Sequence, residues 1–175
     1  MDIESKLAAL GLELPDIEAM YRSNPTAACF HSHLAHGNVL YTSGSVAIRD
    51  GRRYMTGVLG ADLSIEQGYE AARFAAFHSL GIIKFALGEL DRVDQALQLV
   101  GYVNSATGFS DQPRVINGAT DLLVELYGSR GMPTRAAIGC AGLAANNSVE
   151  IILTVSFSGS DVRAPLTRER LAAET

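Results

Sequence analysis

The chain has 175 residues, 47% of them hydrophobic and 19% charged, enough for one domain with a real core. Lys and Arg number 14 against 19 Asp and Glu, a formal charge of −5, which disfavours electrostatically driven binding to nucleic acid or to an acidic membrane. No stretch reaches the roughly 18 apolar residues of a membrane span. The opening MDIESKLAALGLELPD is too short in apolar run for a signal peptide. Cys29 and Cys140 lack CxxC spacing, so both read as reduced thiols of a cytoplasmic protein.

Asp2 to Leu10 predicts a short helix with Ile3, Leu7 and Leu10 on one side, ended by Gly11 and Pro15. Asp16 to Asn24 is ambiguous, and Pro25 marks a boundary. Ala27 to Ala35 and Val39 to Ser45 read as two strands joined at His36-Gly37-Asn38. Ser45 to Gly60 is a connector holding the tight-turn signal Arg49-Asp50-Gly51-Arg52. A long helix follows. Ser64 and Gln67 form a capping-box pattern, Ala72, Ala75, Ala76, Ser79, Ile82, Ile83 and Ala86 recur at helical spacing, and Gly88 ends it. The stripe is mostly Ala near its start, which predicts that the helix lies close against a sheet, and Gly81 predicts close packing at its own position.

Ala96 to Asn104 is a strand, and Ala106 to Ser110 a loop. Asp111-Gln112-Pro113 opens a second helix with the stripe Val115, Ile116, Ala119, Leu122, Leu123 and Leu126, stopped by Gly128. Gly131 to Phe157 then reads as a β-hairpin turning at Asn146-Asn147-Ser148. Its second run alternates: Val149, Ile151, Leu153, Val155 and Phe157 form a core face, while Glu150, Ile152, Thr154 and Ser156 share the other. Ser158 to Thr175 turns polar and reads as a peripheral tail. The order β-β-α-β-α-β-β predicts an α+β two-layer sandwich, a mixed β-sheet with two helices on one face. The expected divisions are an N-terminal helical extension (1–25), the α+β domain (26–157) and the tail (158–175). The uncovered sheet face calls for a partner subunit.

There is no Walker A loop, GxGxxG, HExxH or GxSxG. His31 and His33 would share a strand face, but only Cys29 could join them, so the cluster reads as a polar strand edge and no metal site is expected. Arg135 heads a run of small residues. It is either a solvated strand arginine or a fork for a carboxylate. Glu150 is either a surface carboxylate or an acid/base group. Ser43-Gly44 is either a strand exit or a place where a ligand approaches the backbone. Asn117 is either a satisfied helix side chain or a cleft residue.

Taken together, Gly37 to Gly44 (GNVLYTSG), the long helix, Val115-Ile116-Asn117, Pro133-Thr134-Arg135 and Val149-Glu150-Ile151 resemble the Rid/YjgF family. These are the reactive-intermediate (enamine/imine) deaminases, also labelled endoribonuclease L-PSP. The resemblance runs from about Cys29 to Phe157. Asn117 to Leu123 (NGATDLL) and the extended N-terminus look like the divergent branch described as chorismate-mutase-like.

The resemblance implies a chorismate-mutase-like fold, a homotrimer whose sheets line a central barrel, and ligand clefts between subunits. It implies that Arg135 clamps a substrate carboxylate and that Glu150 orients water or moves a proton. Ser43, Gly44, Asn117 and the positions of Phe30 and Ala137 would line the cleft, with no cofactor. Two departures stand out. Phe30 occupies a position where the deaminases commonly carry a ligand-facing Tyr, and Ala137 one that is often Cys. The Pro that usually follows the strand-end Leu is Ala144, and Cys140 is a different position. The expected activity is hydrolysis of a small 2-imino or 2-enamino acid to its 2-oxo acid and ammonia. A non-catalytic trimer binding a small carboxylate, and RNA cleavage, stay open.

Overall fold

The computed structural model describes residues 2–23 and 30–167. Helices α1 (Ile3–Ala9) and α2 (Ile17–Ser23) come first. Strands β1 (His33–His36) and β2 (Val39–Thr42) follow, then the two-residue β3 (Ser45–Val46), β4 (Ile48–Arg49) and β5 (Arg52–Arg53). Next come α3 (Ile65–Leu87), β6 (Val93–Asn104), α4 (Gln112–Tyr127), β7 (Thr134–Cys140) and β8 (Val149–Phe157). A six-stranded sheet runs β1-β2-β8-β6-β7, with β3 also paired to β8. All pairs are antiparallel except β6 with β7. Helices α3 and α4 back one face, giving the expected α+β sandwich of one mixed sheet and two long helices.

Local signals are confirmed where the chemistry is local. Ser64 and Gln67 make both bonds of the capping box. Gly88 closes α3 with φ of 86°, where a Cβ would be strained. Asp50 and Gly51, at φ of 51° and 71°, form the turn between β4 and β5; the connector therefore holds short strands as well as loop. Asp111 precedes α4, but its side chain caps nothing and lies 3.5 Å from Arg114 instead. Leu10 is exposed rather than buried beside Ile3 and Leu7. Gly81 meets Pro15 and Ile17, not the sheet, so its missing Cβ serves the packing of α2.

The hairpin expectation is overturned. Strand β6 lies between β7 and β8. The α4 crossover makes β7 parallel to β6 on its outer side, as a β-α-β connection requires. The chain then passes over the end of β6, where Asn104 N–H donates to Ser148 O and Ser105 N–H to Cys140 O. It descends as β8 on the inner side. The Asn146-Asn147-Ser148 region does reverse the chain, with Ala145 and Asn146 at positive φ, but it reverses across a strand.

Of the first predicted strand, residues 27–29 lie outside the described residues, and Phe30 to Ser32 precede β1. His33 is no polar edge. It is buried, and its imidazole bonds Ser32 Oγ and the carbonyl of Arg163. That contact ties down the C-terminal segment, which is docked rather than peripheral through residue 167. Leu166 is buried against Ile17 and Ile82, and its N–H donates to Ser32 Oγ. No helix among the described residues is long and apolar enough to cross a membrane.

The two sheet faces differ. Leu40, Leu99, Val103, Val149, Ile151, Leu153, Val155 and Phe157 are buried on the helix side. On the open side Leu34, Tyr41 and Ile138 are 54%, 47% and 42% exposed, among half-buried Val100, Tyr102 and Ile152. The open face thus carries several large exposed apolar side chains among Gln98, Glu150 and Thr154.

His78 sits within α3 with Nδ1 3.3 Å from the Val46 carbonyl and Nε2 without a partner. Burial pushes its pKa below the ordinary imidazole value. The neutral ring is therefore the native form. Unfolded chains bind the extra proton first, so this contribution to stability is complete above about pH 6.5 and is lost as pH falls from there through the native pKa. Denaturant melts at pH 7.5 and 5.5 should show a loss of stability on acidification that His78→Gln reduces.

Candidate functional site

Arg135 and α4 form one half of the candidate site. Arg135 pairs in register with Leu99 of β6, which places it on the helix side of the sheet at the edge strand. Its Nη1 donates to Asn117 Oδ1 at 2.8 Å and to Thr120 Oγ1 at 3.1 Å. Asn117 and Thr120 are three residues apart on α4, so they share a face. Guanidinium is donor-only, so Asn117 must turn its oxygen toward it, and its Nδ2 turns away. Among the described residues no carboxylate pairs with Arg135. An exposed arginine held by neutral acceptors keeps its full charge for an anion. Ala137 lies two positions on, on the same face and packed against the core. It offers no polar atom.

Glu150 belongs to a second group. It pairs with Tyr102 on one side and with Val46 of β3 on the other. The Glu150 side chain lies on the open face, where its carboxylate rests against Gly44. A Cβ built on Gly44 would meet the Glu150 carboxylate, which would have to swing aside. Ser43 beside it donates its hydroxyl to His31 O. Phe30 is 49% exposed and sits edge-on to Tyr21, with ring centroids 6.5 Å apart.

The expected site residues thus divide. Arg135, Asn117 and Ala137 gather under α4 at the β7 edge, while Gly44 and Glu150 meet across β3 and β8. Arg135 and Glu150 are separated by β6 and project from opposite faces of the sheet. They make no ion pair and cannot grip one small molecule within a single chain. Thr120 was missed from sequence. Its spacing of three from Asn117 was the available sign, but nothing in the sequence marks its hydroxyl as an acceptor for Arg135.

Other polar clusters are accounted for by structure. Asp2, Glu4 and Asp91 bring ligand oxygens within 4.8 Å of one another. Each already has a partner: Asp2 accepts from Ser5 N–H, Asp91 from Ile3 N–H, and Glu4 from Lys84 and Leu90 N–H. Burial opposes charge on Glu4, yet the Lys84 ammonium and the Leu90 amide outweigh it and hold its pKa below the usual value. The group fastens α1 to the end of α3. Of the supposed histidine set, His31 is exposed, His33 is committed to Ser32 and Arg163, and Cys29 lies outside the described residues.

A mixed sheet backed by two long helices, with an exposed arginine on neutral acceptors at its parallel edge and a carboxylate on its open face, defines a two-layer α+β protein. The chain belongs to the YjgF family. The family described as "YjgF/chorismate mutase-like, putative endoribonuclease" matches residues 4–156. Protein TCP17 of Trypanosoma cruzi is 35% identical over 157 residues, covering 89% of this chain and 94% of that protein. The structure of Atu1372 from Agrobacterium tumefaciens is similar at 34% identity and a TM-score of 0.79, over 89% of this chain and 92% of that one. A "putative endoribonuclease" from Shewanella oneidensis MR-1 is similar at 30% identity and a TM-score of 0.82, over 90% and 100%.

Proposed function

We propose that this protein is a hydrolytic deaminase of small 2-imino or 2-enamino acids in the cytoplasm, acting as a homotrimer with its sites between subunits. The observation that carries the reading is Arg135, exposed, held by Asn117 and Thr120, and paired with no carboxylate among the described residues. Its fork takes the substrate carboxylate in two parallel bonds. The open apolar sheet face with Leu34, Tyr41 and Ile138 supports burial against other copies. Such an assembly brings Glu150 of one chain to Arg135 of the next, which a single chain cannot do.

The chemistry is then modest. An enamine gains a proton at C3 and becomes the imine. Water adds to C2 as Glu150 accepts its proton, giving a carbinolamine. The C–N bond breaks as that proton returns to nitrogen and the hydroxyl gives its own proton to water, balancing the one taken at C3 and releasing ammonia and the 2-oxo acid. The substrate is already reactive, so orientation and a fixed charge do most of what is needed.

A second reading, binding without turnover, is favoured by Ala137, which brings no polar group to the arginine. RNA is not the substrate we assign, because the chain carries a charge of −5 and strand binding is driven by phosphate neutralisation. The test is hydrolysis of 2-aminoacrylate and 2-iminobutanoate, generated in place, with ammonia as the readout. Wild type should accelerate both, and Arg135→Ala should lose the acceleration. An unaccelerated reaction together with tight binding of 2-oxobutanoate would replace the enzyme reading by the binding one.

A further inference from the structure

Arg135 Nη1 has two hydrogens and two acceptors. One goes to Asn117 Oδ1 at 2.8 Å and the other to Thr120 Oγ1 at 3.1 Å. That nitrogen is saturated. What remains of the guanidinium is the edge formed by Nε and Nη2, whose two parallel N–H bonds match the two oxygens of a carboxylate. The orientation of the clamp is therefore set before a ligand arrives.

Thr120 is equipped for this task by its own helix. Its hydroxyl donates its single proton to the Asn117 carbonyl at 3.2 Å, one turn back. With the proton committed, only lone pairs are left to face Arg135, so Thr120 acts as an acceptor and nothing else. A β-branched side chain in a helix also has few χ1 choices. The oxygen is thus fixed by covalent stiffness and by a back-bond to the residue whose side chain shares the same Nη1.

We propose that Thr120 is a positioning residue for the carboxylate clamp: with Asn117 it locks the Arg135 guanidinium so that the Nε–Nη2 edge faces the ligand. Asn117 shares this duty through its Oδ1. The inference rests on the reading that Arg135 holds a ligand carboxylate.

Two replacements separate hydroxyl from shape. Thr120→Val keeps the branch and volume but removes the oxygen. Thr120→Ser keeps the oxygen. Calorimetry with 2-oxobutanoate, the stable product of the proposed reaction, should show Thr120→Val raising Kd about tenfold, as expected for one hydrogen bond to a charged group. Thr120→Ser should stay within about twofold of wild type, since it restores the acceptor. In turnover the change should fall on KM and leave kcat nearly unchanged. A role only in α4 packing would not be rescued by Ser and would lower the melting temperature.

The second measurement needs no ligand. Nitrogen-15 NMR of the Arg135 side chain should show slow rotation of the guanidinium in wild type and Thr120→Ser, and averaging in Thr120→Val. Unchanged rotation in Thr120→Val, or wild-type affinity in that variant when Arg135→Ala has lost it, overturns the role of Thr120 and leaves the site standing. If wild type and Arg135→Ala bind 2-oxobutanoate equally, the site reading itself fails, and the NMR result alone decides what holds Arg135.

Discussion

Co-expressing Arg135→Ala and Glu150→Gln chains should restore activity that neither variant has alone. Each variant by itself should fall by about a hundredfold or more, since one removes the fixed charge and the other the proton carrier. The two residues project from opposite faces of the sheet with β6 between them, so the proposed site takes one of them from a neighbouring chain. In a mixed ring, the Arg135 of a Glu150→Gln chain meets the Glu150 of an Arg135→Ala chain at one junction in three, and that junction is intact. Random 1:1 mixing makes about three quarters of the trimers mixed, so about one quarter of wild-type activity should return. Ammonia release from the purified mixture measures it. Recovery near zero, from trimers shown to be mixed by mass, would mean that the two residues do not complete one another across chains.

The division of the site explains what could and could not be read from sequence. The capping box at Ser64 and Gln67 and the helix stop at Gly88 involve neighbours within four residues, so residue type alone signals them. The alternation of β8 was clear because one of its faces is deeply buried. Strand β7 has no such contrast. Thr134 to Cys140 is small or polar apart from Ile138, which lies on the open face, and its pattern does not say that Arg135 turns toward α4. The turn signal before Val149 was real, but which strands flank a turn depends on pairing partners far along the chain. Here β6, thirty residues earlier or more, takes the place a hairpin would have used. The docking of residues 158–167 is hidden for a similar reason: Leu166, Val162 and bonds from Ser32 and His33 anchor it, and two apolar residues in a polar run carry little weight.

The proposed carboxylate clamp rests on a contact between α3 and α4, and Gly118→Ala should expose that dependence. Gly118 lies between Asn117 and the α3–α4 seam. A Cβ built there would run into the carbonyl oxygen of Tyr69, with the backbone of Arg73 3.2 Å away. Both obstacles are backbone, so no side chain can rotate aside, and α4 must move off α3. The seam is otherwise tied by Tyr69 to Asp121 at 2.9 Å and by Arg73 to Glu125 at 2.7 Å. Both are exposed bonds contributing little. Overpacking at such a point costs about 3 kcal/mol, which in a chain of this length lowers Tm by roughly 6–12 °C. Because α4 carries Asn117 and Thr120, the shift also takes the two acceptors away from Arg135 Nη1. Gly118→Ala should therefore lose 2-oxobutanoate affinity together with stability, whereas Tyr69→Phe, which only removes an exposed bond, should change both slightly. A stable Gly118→Ala that binds as wild type would show that α3 and α4 have slack at their crossing, and that the clamp is held by the β7 edge instead of by the helix above it.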